Sequence, residues 1–207
     1  MVPIGLALLL AASVHAQNAI RYEAQPGGSK VKVDGTSTIH DWSVESRAVG
    51  GFMEVDPAFD ADLKTVTTTP KVEVTIPVRQ LKNADNKTSM DNIMWEHMNL
   101  KTYPRITYHL LTLKPKADAA AGPASQFDAT GELTVSGVTR TNTMAVSMER
   151  VDKSKIRVKG ITNLKMTDFG IKPPAPSIGL GLIKTGDDVK LSFEWTVAKT
   201  EKTADAK

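Results

Sequence analysis

Alternation with a period of two constrains this chain more than any other feature. In residues 72–78, Val72, Val74, Ile76 and Val78 alternate with Glu73, Thr75 and Pro77. Successive side chains on a strand point to opposite faces, so one set is buried and the other meets water. The pattern returns with Phe127, Ala129, Gly131, Leu133 and Val135, and again with Val189, Leu191, Phe193, Trp195 and Val197. Weaker versions fall in residues 29–33, 39–44, 52–55, 106–113, 142–148 and 156–166. Turn signals separate them: Gly50-Gly51, Asp56-Pro57, Gly122-Pro123, Ser136-Gly137 and Thr185-Gly186-Asp187-Asp188. Many short strands at this spacing predict an all-β, mainly antiparallel sandwich or barrel.

Residues 87–99 break the rule. Met90, Ile93, Met94, His97 and Met98 recur at the spacing of one helix face. Thr88 or Ser89 is placed to cap the start, and Asp91 in the first turn suits the helix dipole. Tyr103-Pro104 marks the end, because proline disfavours helical geometry in the residue before it. A single amphipathic helix must lay its apolar face on the sheet or on a barrel mouth.

The 207 residues suffice for one globular domain with a sizeable core. With no cysteine, disulfides, cysteine-ligated metals and thiol catalysis are excluded. A net charge of +3, from 26 basic against 23 acidic residues, is too balanced for a nucleic-acid binder. Residues 2–12 form an apolar run too short to span a bilayer, and Val14-His15-Ala16 has the small-residue spacing of a signal-peptidase site. Residues 1–16 are therefore expected to be a signal peptide, residues 17–198 the folded domain and residues 199–207 a polar, disordered tail. A periplasmic or secreted location follows.

Groups able to do chemistry are few. Ser37, His40 and Asp41 supply the names of a triad, but neighbours on a strand face opposite ways. His97 and His109 have no metal-ligand spacing with His40, and no phosphate-binding glycine motif is present. Asp187-Asp188 reads as a turn. The segment from Asp168 to Ile183 is long for a loop and carries Phe169, Ile171, Ile178, Leu180 and Leu182. A loop that apolar either plugs the core or lines the mouth of a cavity.

The run Gly35-Thr36-Ser37-Thr38-Ile39-His40-Asp41-Trp42 resembles the opening strand pair of the YceI-like polyisoprenoid-binding family. Three further blocks are similar to that family in the same order. They are Met90-Asp91-Asn92-Ile93-Met94-Trp95 leading to Tyr103-Pro104-Arg105-Ile106-Thr107-Tyr108, then Gly131-Glu132-Leu133-Thr134-Val135-Ser136-Gly137-Val138-Thr139, then Met166-Thr167-Asp168-Phe169-Gly170-Ile171 with Gly186-Asp187-Asp188-Val189. Many members carry a basic residue where this chain has Thr167. The resemblance implies a lipocalin-like barrel of about eight strands with one amphipathic helix near its mouth, and an interior that takes one long apolar ligand. A polyisoprenoid, prenyl quinone, fatty acid or fatty amide would suit it. No catalytic constellation and no cofactor come with the resemblance.

Strand parity then selects the liners. Trp42, Val44, Val74, Ile76, Ile106, Tyr108, Leu133, Val135, Phe193 and Trp195 are expected on the walls, with Met94, Met98, Phe169, Ile171, Leu180 and Leu182 at the mouth. A bulge would turn part of a strand outward. The expected partner is an apolar small molecule or lipid, without nucleic acid, a stable membrane span or a metal. A homodimer stays open. So do two other readings: a packed structural or stress-response module without ligand, and a small-barrel enzyme using His40 or His109.

Overall fold

The computed structural model describes residues 19–116, 124–175 and 183–200. Eleven strands form one antiparallel sheet: β1 (Ile20–Ala24), β2 (Lys30–Ser37), β3 (Trp42–Ser46), β4 (Gly50–Val55), β5 (Lys71–Pro77), β6 (Lys82–Asn83), β7 (Arg105–Pro115), β8 (Ser125–Val135), β9 (Val138–Arg150), β10 (Lys155–Lys165) and β11 (Thr185–Lys199). A short helix, α1 (Pro57–Ala61), follows β4, and α2 (Thr88–His97) follows β6.

Two of the barrel strands are each bent into halves. β11 pairs with β2 along Val189–Glu194 and with β1 further on, where Val197 faces Ala24. The break between β1 and β2 falls at Pro26-Gly27-Gly28, with Gly27 in the left-handed region at φ 73°. In the same way β4 pairs with β1 and β5, while β3 pairs with β2 and β6. With β1/β2 and β3/β4 each counted as one and the two-residue β6 set aside, eight strands run up and down and close where β11 meets β1 and β2. Closure removes the edges that an open sheet would expose.

One end of this barrel is solid. There Tyr22, Phe59, Phe127, Ile156 and Val197 are fully buried, each at 0% exposure. They come from the start of β1, from α1, and from the strand ends beside it. The Asp56-Pro57 pair, read in the sequence as a turn, opens α1: Asp56 caps it by accepting from the Phe59 amide at 2.9 Å, and proline suits the first helical position. The other end of the barrel is hollow and carries α2.

Several local expectations are corrected. Lys87, not Thr88 or Ser89, stands at the cap position of α2, and no side chain caps it. The preceding turn is instead held by Asn83, whose Oδ1 accepts from the Asp85 and Lys87 amides. Asp91 is buried and accepts from the Asn83 amide at 2.6 Å, tying α2 to β6. Ile39 and His40 lie outside the strand that starts at Trp42. Asp187 and Asp188 lie within β11, at an irregularity in its pairing with β2. Lys199, expected in the tail, closes β11 opposite Tyr22. Among the described residues no helix is long and apolar enough to cross a membrane.

Candidate functional site: an apolar cavity inside the barrel

The hollow end encloses a cavity of about 430 Å³. Its walls are inward rows of the strands, and they include residues that strand parity selected on β3, β5, β7, β8 and β11. Val74 and Ile76 of β5, Leu133 and Val135 of β8, and Phe193 and Trp195 of β11 all line it. So do Trp42 and Val44 of β3, and Ile106 and Tyr108 of β7. From α2 the face Met90, Ile93, Met94, His97 and Met98 closes the mouth, with Phe169 and Ile171 beside it. Leu180 and Leu182 lie outside the described residues.

Three inward aromatic rings are stowed against glycines. A Cβ added to Gly35 would come within 2.2 Å of the Trp42 ring; at Gly131 it would come within 2.4 Å of Tyr108, and at Gly160 within 2.6 Å of Phe193. Each ring lies flat on bare backbone, so a large side chain occupies wall rather than lumen. The Trp42 indole is further fixed by donating to the Thr36 carbonyl at 3.0 Å.

The cavity wall is otherwise hydrocarbon. Its polar lining residues Ser37, His40, His97, Lys165 and Thr185 sit at the mouth, on strand ends, loops or the last turn of α2. Deeper in, Tyr108 Oη and Trp195 Nε1 are buried without a hydrogen-bond partner among the described residues, and so are both side-chain polar atoms of Asn142, which is on the inward side of β9 but not among the lining residues. Burial pushes the Tyr108 hydroxyl up to about 12, so it remains a neutral donor.

The mouth is braced by polar contacts. His97 Nδ1 is hydrogen-bonded to the Lys172 carbonyl at 2.8 Å, and Ser136 Oγ donates to the Met98 carbonyl at 3.0 Å. Arg140 Nε donates to the Asp168 carbonyl at 2.8 Å, over the turn that buries Phe169. Thr167 gives Asp187 both its amide (2.9 Å) and its hydroxyl (2.6 Å), which hold that carboxyl below its ordinary value. The side chain at position 167 is thereby engaged within the protein.

The candidate catalytic groups are not assembled. Ser37 Oγ donates to the His40 carbonyl at 2.7 Å, while His40 Nδ1 is bonded to the Asp41 carbonyl, so the three residues form a turn rather than a relay. His109 is exposed on the outer face, paired across strands with Glu73 and Glu132.

The walls also include residues that the sequence reading left out. Met144, Val146 and Met148 of β9 and Val31 and Val33 of β2 line the cavity with the same period of two. Leu110 and Leu113 of β7 both face inward because the pairing with β8 shifts between Leu110 and Thr112. Leu111 is outward by the ordinary alternation, 41% exposed, and the bulge keeps Thr112 outside with it.

The sequence model of one family, described as a YceI-like domain, matches residues 22–197. No curated protein is matched by the sequence. Among solved structures, the chain is similar to BcnA of Burkholderia cenocepacia, with a TM-score of 0.64 and 19% identity over 84% of this chain and 98% of that one. It is similar also to a polyisoprenoid binding domain from Saccharophagus degradans implicated in plant cell wall breakdown, at TM-score 0.65 and 13% identity over 86% and 98% of the two chains. A YceI protein of Campylobacter jejuni gives TM-score 0.54 at 23% identity over 74% and 82%. At these identities the likeness is one of fold.

Proposed function

Because the chain belongs to the YceI-like domain family, we propose that it is an exported binding protein that carries or sequesters one long apolar ligand inside its barrel, without catalysis. A polyisoprenoid, prenyl quinone, fatty acid or fatty amide is the ligand class. Residues 1–16 serve as the export signal, and the protein works in the periplasm or outside the cell. The observation that carries this reading is the apolar cavity of about 430 Å³, within the usual range of small-molecule sites, roughly 300–1,000 Å³.

The driving force is burial. Each methylene leaving water contributes roughly 0.8 kcal/mol, so ten of them supply about 8 kcal/mol before the ordering of the chain is charged against it. Met90, Met94 and Met98 give the mouth an unbranched, adaptable rim, which suits a ligand that threads in lengthwise.

Chemical-shift mapping with a long-chain fatty acid tests the assignment. Val74, Ile76, Leu133, Val135, Phe193 and Trp195 are expected to shift, while their outward neighbours Thr75, Thr134 and Glu194 hold still. Inward positions that stay unmoved at saturating lipid would refute it.

A further inference from the structure

One patch on the inward side of the barrel is polar. Gly131 of β8 is an inward position, since Ala129 and Leu133 on either side of it line the cavity. Its cross-strand partner on β9 is Asn142, which shares that face, two residues before the lining Met144. The Tyr108 ring from β7 lies on the Gly131 backbone, its hydroxyl 2.4 Å from where a Cβ would stand. Three adjacent strands thus bring a phenol and a carboxamide to one spot. Tyr108 Oη, Asn142 Oδ1 and Asn142 Nδ2 are all buried there without a hydrogen-bond partner among the described residues. Buried polar groups are almost always paired, and the two unpaired donors among these atoms, Tyr108 Oη and Asn142 Nδ2, call for an acceptor from outside the chain.

We propose that Tyr108 and Asn142 form the polar subsite of the cavity, and that the ligand it selects carries an uncharged carbonyl group seated inside the barrel, below the mouth. The inference rests on the carrier reading. A phenol hydroxyl and an amide N–H are two donors, and a carbonyl oxygen has two lone pairs to accept both. Tyr108 pairs with Val74 and Leu133, one inward step beyond Ile106, so the carbonyl sits within the walls. A charged head group is unsuited to that depth. Among the described residues the one charged lining side chain, Lys165, and the histidines His40 and His97 all stand at the mouth, and two neutral donors do not offset the desolvation of a carboxylate.

Two neutral probes separate the claim from simple hydrophobic binding: a long-chain methyl ketone and the alkane of the same length, each measured by displacement of a fluorescent lipid. The ketone is expected to bind about tenfold tighter or better, the worth of one to two net hydrogen bonds. Tyr108→Phe, which keeps the ring on Gly131, and Asn142→Leu are each expected to erase most of that preference while leaving alkane affinity intact. On the intact protein, the isotope-labelled carbonyl carbon of the bound ketone is expected to shift in the hydrogen-bonded direction. The inference is overturned by equal ketone and alkane affinity, by a preference that survives both substitutions, or by a bound carbonyl signal like that in hydrocarbon solvent. It is overturned also if the matching carboxylate gains affinity through Tyr108. Binding of neither neutral probe rejects the carrier reading itself and takes this inference with it.

Discussion

Gly35, Gly131 and Gly160 each face a ring across the strand pair, and the barrel depends on their lack of a side chain. Glycine ordinarily weakens a strand, by leaving it with nothing to pack. Here the ring from the neighbouring strand covers the bare backbone, and the lumen keeps its width. Gly160→Ala places a methyl carbon 2.6 Å from the Phe193 ring, so the ring must tilt into the cavity. A loss of about 1–3 kcal/mol in urea unfolding, typical of overpacking, together with weaker lipid binding, is the expected result. A second residue-level prediction concerns Asp56, whose carboxyl accepts from the Thr67 hydroxyl at 2.6 Å, the Phe59 amide and the Thr68 hydroxyl. These contacts lower its pKa to about 2, against roughly 3.9 in an unfolded chain. A depressed carboxyl stabilises the fold above its unfolded pKa, and that contribution is lost as pH falls through the folded value. Asp56→Ala is therefore expected to cost about 1 kcal/mol at neutral pH, the worth of a helix cap, with the gap to the parent protein closing as pH is taken down to about 2.

At the scale of elements, α2 shows how a short helix is held over an opening. Its Trp95 is buried on the side away from the cavity, and Nε1 donates to the Val78 carbonyl at 3.1 Å and to the Leu81 carbonyl at 3.3 Å. Lys82 stands over the indole, 4.0 Å from its centroid. Trp95→Phe leaves both carbonyls without that donor; a loss of about 1–3 kcal/mol and faster lipid release in a stopped-flow dilution are expected. An unchanged release rate would mean that α2 is not the gate. The face of α2 toward the lumen was legible in the sequence, because Met90, Ile93, Met94, His97 and Met98 repeat at helical spacing. Its anchoring face was not: Trp95 and Asp91 find partners on β6 and the turn before it, which no periodicity marks. Parity read the strands well wherever pairing is regular, as on β5, β8 and β11. On β7 it stopped being a guide after Leu111, where the bulge keeps Thr112 outside as well and turns Leu113 to the inside. The unpaired carboxamide of Asn142 was equally hidden, since its meaning depends on Gly131 and Tyr108 from two other strands.

The whole molecule divides into a packed end and a hollow one, and the packed end is sealed by contacts remote in sequence. Tyr22 Oη donates to the Asp60 carboxylate, Lys199 Nζ reaches the same carboxylate at 2.8 Å, and Arg150 bonds both the Asp60 carbonyl and the Tyr22 hydroxyl. Burial pushes the Asp60 carboxyl up, but the hydrogen bonds from Lys199 and Tyr22 outweigh it and hold the carboxyl below its ordinary value. None of these residues lines the cavity. Arg150→Ala is accordingly expected to lower unfolding free energy by about 2 kcal/mol, a hydrogen bond to a charged group being worth roughly 1.5–3, with lipid affinity unchanged; a parallel loss of affinity would show that the two ends are not independent. Tyr22 and Arg150 stand 128 residues apart, which is why alternation, pointing to an antiparallel sandwich or barrel, gave no sign of this seal. Alternation was equally silent on whether the barrel is hollow, because solid and hollow barrels share the same inward and outward rows; glycine–ring pairing and the packed lower end decide where the space lies. The central claim, one apolar ligand held in that space, is tested most directly by native mass spectrometry of the purified protein followed by lipid extraction. A single stoichiometric apolar adduct, released on denaturation, is the predicted result. A bare mass that stays unchanged after incubation with prenyl quinones and fatty acids would contradict it.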